Sequence, residues 1–133
     1  MDKISVIVLC FNEEETLPIF YKEINKVIKK MSNVYFELIF VDDGSSDETI
    51  NVTKNLSKKD KNIRYISFSR NFGKEAAIYA GLEYCTGDYV TLLDADLQDP
   101  PEFIEKMYKI ITTEDVDCVG LKTDTHKEYG IFR

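Results

Sequence analysis

The sequence predicts an α/β fold, a doubly wound and mostly parallel sheet formed by one domain of residues 1–133. Short apolar runs rich in β-branched residues, typical of strands buried on both faces, alternate with amphipathic helical segments. Strand and helix alternate four times with short connections, which favours right-handed crossovers. A chain of 133 residues fits one hydrophobic core of ordinary size.

The first half of the chain predicts two strands and two helices. Residues 4–11 form a strand-like apolar run, and Thr16 and Pro18 mark the start of a helix. The buried face of that helix is predicted by apolar residues at helical spacing: Leu17, Phe20, Ile24, Val27 and Ile28. Residues 35–41 predict a second strand. The polar loop after it contains serines expected to cap a helix over 47–56.

The second half continues the alternation. It predicts a strand at 63–68, a small-residue helix at 74–84, a strand at 89–93, a helix beginning at 99–101 and a strand at 116–121. Gly87 is expected to stop the second of these elements, and Asp99 to cap the fourth. Residues 122–133 show no closing helix, so we expect a domain truncated on its C-terminal side.

Composition excludes several classes of protein. With 44% hydrophobic and 31% charged residues, the chain is expected to be globular. Its 17 basic and 24 acidic residues give a net charge of −7, which disfavours nucleic acid as a partner. Three cysteines without a CxxC pair and one histidine, His126, disfavour disulfide, zinc and histidine-based chemistry. No apolar run reaches the ~18 residues of a membrane span, so a soluble, cytoplasmic fragment is expected.

Polar side chains follow the ends of the predicted strands. In open parallel sheets ligands bind beyond the carboxyl ends of the strands. The residues found there are Asn12 and Glu13, Asp42 and Asp43, Arg70, and Asp94, Asp96 and Gln98.

Asp94 and Asp96 form the sharpest feature, because a buried strand leads into them and only Ala95 separates them. Two carboxylates ~4 Å apart repel by roughly 4 kcal/mol at an effective dielectric constant near 20, so such a pair favours a divalent cation or a shared proton. Together with the Gln98 amide they offer hard oxygen ligands suited to Mg²⁺ or Mn²⁺. The alternative is that both aspartates cap a loop, although Asp99 is better placed for that task.

The other polar residues have structural alternatives. Asp42 and Asp43 lie in a segment of turn-forming residues, and the contest between turn and binding site is even. Arg70 and Lys74 could be solvated charges, and the acidic run that begins at Glu13 suits the first turn of a helix. The sequence contains neither G-x-G-x-x-G nor a P-loop. A receiver-like, Mg²⁺-binding regulatory module is the remaining alternative, although its acidic pair belongs after the first strand.

Four segments in order resemble family 2 glycosyltransferases: SVIVLCFNEE, ELIFVDDGSSDET, SRNFGKEAAIYAGL and LLDADLQDPP. The LQDPP extension after the DxD motif is similar to the branch that transfers sugars to polyprenyl or dolichyl phosphate. The resemblance implies the Rossmann-like, nucleotide-sugar-binding half of a GT-A fold, with Mg²⁺ or Mn²⁺ as cofactor. It favours a UDP-sugar over GDP-mannose.

The resemblance also implies roles for individual residues. Phe11, Asn12 and Glu13 would line the base pocket, Asp42 would contact the base, and Arg70 and Lys74 would lie nearby. Asp94 would approach the ribose or the metal's water shell, and Asp96, with Gln98 beside it, would bind the metal.

By the same resemblance the reaction is an inverting displacement onto a lipid phosphate at the cytoplasmic face of the membrane. The catalytic base would lie beyond Arg133, so none is assigned and the fragment is expected to lack full activity.

Overall fold

The structure is a computed structural model that describes residues 1–98, 100–122 and 128–133. The expectations for Asp99 and His126 lie outside the described residues. Six strands and four helices follow one another as β1 (Lys3–Cys10), α1 (Leu17–Lys30), β2 (Tyr35–Asp42), α2 (Thr49–Lys59), β3 (Ile63–Ser67), α3 (Lys74–Tyr84), β4 (Tyr89–Asp94), α4 (Phe103–Thr113), β5 (Cys118–Lys122) and β6 (Glu128–Phe132).

The strands form one sheet in the order β3-β2-β1-β4-β6-β5. β1 pairs in parallel with β2 and β4, and β2 pairs in parallel with β3. β6 is antiparallel to both of its neighbours, β4 and β5. The predicted α/β class and mostly parallel sheet are confirmed, and an antiparallel strand is inserted near one edge.

Two apolar clusters cover the two faces of the sheet. On one face, alternate residues of β1 and β2 such as Val8 and Phe40 pack with α1, α2 and α4. On the other face, Ile7, Ile39 and Val41 pack with Ala77 of α3. The two-residue period of a strand therefore decides which cluster each side chain joins. Within the described residues, no helix combines the length and apolar character needed to cross a bilayer.

α3 begins and ends where predicted, but other boundaries and caps differ. The prediction that serines cap α2 is wrong, since this helix begins at Thr49 after Glu48 and the serines bond to neighbouring loops. Thr16 precedes α1 without a capping side-chain bond, because its hydroxyl donates to Glu13 instead. α3 ends at Tyr84, and the residue that follows its last turn as the C-cap is Cys85 rather than the predicted Gly87.

The structure also differs from the predicted starts of two elements in the C-terminal part of the chain. α4 begins after Glu102 rather than at 99–101, and β5 begins two residues later than predicted, at Cys118. Residues 122–133, for which the sequence predicted only the lack of a closing helix, contain β6, which pairs with the central strand β4. Long-range pairing of this kind leaves little local signal in a short strand.

Candidate functional site

The loops that follow β1 and β2 are joined into one unit. Asn12 adopts the left-handed conformation, with φ of 53°, which asparagine tolerates better than most residues. Its backbone N–H donates to Ser45 Oγ at 2.8 Å, and its Oδ1 accepts from the Ser46 N–H at 2.9 Å. The Glu13 N–H donates to Thr49 Oγ1 at 2.8 Å. These bonds hold Glu13 at the carboxyl end of the sheet.

Asp42 and Asp43 bind different partners. Asp42 is 2% exposed, and its Oδ1 accepts from the N–H of Ser45 at 3.2 Å and from the hydroxyl of the same residue. The carboxylate of Asp43 accepts from the N–H of Phe72 at 2.8 Å and from that of Gly73 at 3.2 Å. Asp43 therefore ties the end of β2 to the loop that precedes α3.

Gly44 brings the same two loops into direct contact. Its φ is +73°, and a Cβ at this position would lie 2.2 Å from the carbonyl carbon of Arg70, so a larger residue cannot fit without displacing the backbone. The Arg70 guanidinium lies 4.4 Å from the centre of the Phe72 ring. Phe72 in turn packs edge-on against Phe68, with ring centres 5.7 Å apart. The loop after β3 is thus held in place by its close contact with Gly44 and by the packing of Phe72 against Phe68.

A cavity of about 160 Å³ opens where these loops meet the end of β4. Its apolar lining includes Leu9, Cys10, Phe11 and Ala77. Its charged lining consists of Glu13, Asp43, Lys74, Asp94 and Asp96. A larger cavity of about 580 Å³, between α4 and the end of α1, has mixed lysines and glutamates of the outer helix layer instead. The smaller cavity is the candidate site, because it alone of the two gathers acidic strand ends.

The DxD turn directs two aspartates toward this cavity. Ala95 is fully buried between them, and its N–H pairs with a carbonyl of β1 at 3.0 Å. Asp94 forms an ion pair with Lys74, with Oδ2 and Nζ 3.5 Å apart. Asp96 Oδ1 accepts from the backbone N–H of Gln98 at 3.1 Å. The bond from Gln98 fixes the turn that orients Asp96.

The electrostatic environment of the cavity is acidic. Burial raises the pKa of the Cys10 thiol well above its usual value, and the nearby carboxylates of Asp42, Glu13 and Asp94 raise it further. The buried sulfur of Cys10 therefore lies close enough to three carboxylates to interact with them electrostatically. Such a site favours a cation, or an anion that arrives with a cation.

The donor set fits a hard divalent metal that has few protein ligands. Asp94 and Asp96 supply carboxylate oxygens, the ligands preferred by Mg²⁺ and Mn²⁺. Among residues 1–98, 100–122 and 128–133, no group of three or more His, Cys, Asp or Glu side chains is arranged as a complete metal site. The remaining coordination positions would therefore belong to water or to a ligand such as a diphosphate.

The structure brings together five of the predicted site residues in the lining of the cavity: Phe11, Glu13, Lys74, Asp94 and Asp96. The other four lie outside its described lining: Asn12, Asp42, Arg70 and Gln98. The roles given to all nine residues stay predictions.

Of the Asp42–Asp43 pair, the resemblance directed Asp42 toward the base, whereas Asp43 is the member that lines this cavity. The two-residue period of the strand, together with the observed face of Val41, explains this difference. Val41 belongs to the α3 face of the sheet, so the strand period places Asp43 on that face and Asp42 on the other.

Comparison with known proteins identifies the family. The sequence profile described as Glycosyl transferase family 2 matches residues 5–131, and the chain belongs to that family. It is 44% identical over 108 residues to a protein of Escherichia coli strain K12 named "Prophage bactoprenol glucosyl transferase homolog", an alignment covering 78% of this chain. The chain spans only 35% of the length of that relative.

Two solved structures share the fold. The mannosyltransferase PcManGT from Pyrobaculum calidifontis, in complex with GDP-Man and Mn²⁺, matches with a TM-score of 0.80 at 19% identity, covering 98% of this chain and 44% of that one. Glucosyl-3-phosphoglycerate synthase from Mycobacterium tuberculosis, in complex with Mn²⁺, UDP and phosphoglyceric acid, matches with a TM-score of 0.67 at 25% identity, covering 88% and 42%.

These comparisons confirm the resemblance drawn from the four sequence segments, both to family 2 and to its bactoprenol-related branch. They also confirm the GT-A class of fold. Family membership favours a glycosyltransferase over the receiver-like regulatory module.

Proposed function

We propose that this domain binds a nucleoside-diphosphate sugar with a divalent metal, and that it serves the transfer of the sugar to a polyprenyl phosphate with inversion at the anomeric carbon. One observation carries the proposal: the cavity at the carboxyl ends of β1, β2 and β4 is lined by four carboxylates and a lysine. An acidic site of this kind can bind an anionic diphosphate only if a cation accompanies it.

The metal would be held mainly by Asp96, with Asp94 and the side chain of Gln98 close by. Asp94 and Asp96 lie on one turn that lines the cavity, and the backbone of Gln98 already fixes Asp96. When bound, the metal would supply positive charge that stabilises the departing nucleoside diphosphate. The Mn²⁺ in the two similar structures supports a metal of this type.

The nucleoside would lie between the loops after β1, β2 and β3. Phe11 lines the cavity with a side chain that is 47% exposed, which leaves a ring face available for stacking. Asp43, rather than Asp42, would meet the base, because it is the member of the pair that reaches the cavity. Asn12 and Arg70 would contribute from the rim, and Glu13 from the cavity wall. UDP stays our preferred nucleotide, although GDP-Man and UDP each occur in a similar structure.

The acceptor would be a lipid phosphate, as the name of the Escherichia coli relative suggests. A phosphate is largely ionised near neutral pH, so an acceptor of this class needs less help from a general base than an alcohol does. We assign the base to none of the described residues. The chain spans about a third of that relative. We place the acceptor side outside the described residues, and the whole protein at the cytoplasmic face of the membrane.

Thermal denaturation tests the donor proposal. UDP or GDP, each added with Mn²⁺, should raise the melting temperature, because a ligand that binds only the folded state stabilises it. If neither nucleotide raises it in a folded sample, and a longer version of the chain is equally unresponsive, donor binding is wrong.

The Asp96→Asn variant tests the metal ligand. It should keep the fold but weaken Mn²⁺-dependent nucleotide binding by roughly 2 kcal/mol or more, because a charged ligand becomes neutral. Asp115→Asn, an exposed change of the same chemistry away from the cavity, is the matched control. Equal nucleotide affinity for wild type and Asp96→Asn in titration calorimetry would contradict this role.

A further inference from the structure

Lys74 lies at the junction between the acidic cavity and α3. It is the first residue of that helix, and its Nζ lies 3.5 Å from Oδ2 of Asp94. The described lining of the cavity contains four carboxylates, and Lys74 is the cation among them. Asp94 thus has a positively charged partner supplied by the protein itself.

The Lys74 ammonium and a divalent metal are alternative counter-ions for Asp94. Lys74 contacts Asp94 Oδ2, and a metal held at the DxD turn would approach the same carboxylate; two cations within ~4 Å of each other repel. Metal binding at the DxD turn therefore disfavours the Lys74–Asp94 pair. The pair likewise disfavours the metal.

Lys74 is free to change partners without movement of α3. Its side chain is 65% exposed, and a lysine carries a flexible four-carbon stem. The backbone beside it is fixed, since the Gly73 N–H donates to Asp43 at 3.2 Å and Ala77, one turn later, is buried against the sheet. The ammonium group can therefore swing across the cavity mouth from a fixed origin.

We propose that Lys74 is an exchangeable counter-ion: it neutralises Asp94 before the donor binds, and it turns to the diphosphate when the metal takes Asp94. This inference rests on the proposed donor function. The first turn of α3 adds partial positive charge at the same place, which favours a phosphate there. A metal that releases Lys74 and a diphosphate that captures it must strengthen each other's binding, and this coupling is reciprocal.

The test is the Lys74→Gln variant, with Mn²⁺ and UDP or GDP as probes at one fixed pH. Free Mn²⁺ is counted by electron paramagnetic resonance, and nucleotide affinity is measured by calorimetry at saturating Mn²⁺. The variant should bind Mn²⁺ alone about fivefold more tightly, because a competing charge is gone. It should bind nucleotide about tenfold more weakly, because a charged phosphate contact is lost.

Two controls isolate the effect. Lys58→Gln removes the same charge in the last turn of α2, and it should leave both affinities unchanged. Lys74→Arg keeps the charge, so it should restore the weak Mn²⁺ binding of wild type. Circular dichroism verifies that each variant is folded.

The outcomes separate this inference from the function on which it rests. Opposite shifts of the Mn²⁺ and nucleotide affinities in Lys74→Gln support the exchange. If wild type binds nucleotide with Mn²⁺ but Lys74→Gln binds Mn²⁺ alone no more tightly, the exchange is wrong and the donor function stands. If wild type binds neither nucleotide, both are wrong.

Discussion

Two adjacent carboxylates, Asp42 and Asp43, show how one residue step changes a side chain's task. The first is buried and accepts from the Ser45 N–H, a bond within the turn after β2. The second is 8% exposed, lines the cavity and accepts two backbone N–H groups. Since a buried carboxylate with two such bonds is costly to alter, Asp43 should influence both stability and ligand affinity.

Asp43→Asn tests this double role. An amide offers one oxygen instead of two, so one of the N–H groups of Phe72 and Gly73 loses its acceptor. We expect the free energy of unfolding to fall by about 1–3 kcal/mol, measured by urea denaturation. Nucleotide affinity should fall in the same variant at a temperature where it is fully folded. Asp115→Asn serves as control, and an unchanged urea midpoint for Asp43→Asn would contradict the proposed bonds.

The candidate site could be predicted only in part from its residues. Glu13, Lys74, Asp94 and Asp96 were found because polar residues at strand ends converge in a parallel sheet. To choose between Asp42 and Asp43, one must know which face of the sheet each side chain at the end of β2 points to. A bend at the end of the strand can change that face. The apolar lining from Leu9 and Ala77 carried no separate signal, because both residues also suit an ordinary core.

At the scale of elements, α3 is anchored at both ends. Near its first turn, Asp43 holds the preceding backbone. Near its last turn, the carboxylate of Glu37 accepts from the Thr86 N–H at 2.7 Å, and Arg64 Nη2 donates to Glu37 Oε1 at 2.8 Å. Midway, a Cβ on Gly81 would lie 2.5 Å from Ile7 Cγ2, so the helix packs directly on β1. This attachment holds Lys74 at the cavity.

The Glu37 anchor should make stability depend on pH. Burial alone raises the pKa of this carboxyl, but hydrogen bonds from Ser5 and Thr86, with the charge of Arg64, outweigh it and hold the pKa below 4.5. Because the folded pKa lies below the unfolded one, the contribution is complete above pH 4.5 and is lost as pH falls through the folded pKa.

Glu37→Gln should therefore lower the free energy of unfolding by about 2 kcal/mol at pH 7 and by less at pH 3, because the wild-type contribution decreases below the unfolded-state pKa and is lost as pH falls through the folded-state pKa. Urea denaturation at both pH values measures the difference. Glu23→Gln is the control, since its exposed pair with Lys26 should contribute little at either pH. A Glu37→Gln difference that stays constant with pH would contradict a lowered pKa for this carboxyl in the folded state.

The elements of the fold were more predictable than their ends. The sequence pattern predicted nine of the ten described elements, and the longest of them, such as β1, β2 and α1, have buried faces of several residues. β6 was missed because its residues pair with β4 and β5 at a distance in sequence, and because Gly130 interrupts its apolar pattern. The predicted serine cap of α2 failed for a related reason: the serines after β2 bond to the loop after β1, which is distant in sequence.

At the scale of the whole molecule, the two faces of the sheet are covered unequally. Three helices, α1, α2 and α4, pack on one face. On the other face, α3 covers the region of β1 and β2 through Ala77 and its neighbours. Toward the opposite edge, Cys118 of β5 is exposed and Phe132 of β6 is 37% exposed. β1 and β2 are therefore buried on both faces, while the buried side chains described in β5 and β6 are Val119 and Ile131, which belong to the cluster on the α4 side.

This unequal coverage predicts a gradient of amide hydrogen exchange. Exchange of buried strand amides requires local or global opening, and the opening free energy falls where apolar contacts are few. Amides of β1 and β2 should exchange only through global unfolding, so their protection should follow the global stability as urea is added. Amides of β5 and β6 should exchange at least tenfold faster, through an opening of that edge alone, which corresponds to roughly 1.4 kcal/mol or more. Native-state exchange followed by mass spectrometry measures both sets.

The opposite edge strand, β3, is the internal comparison. Like β5 it has only one neighbouring strand, but it carries the buried Ile63 beneath α2. If β5 and β6 exchange as slowly as β1 and β2, the sheet opens as one cooperative unit and unequal coverage does not control its stability.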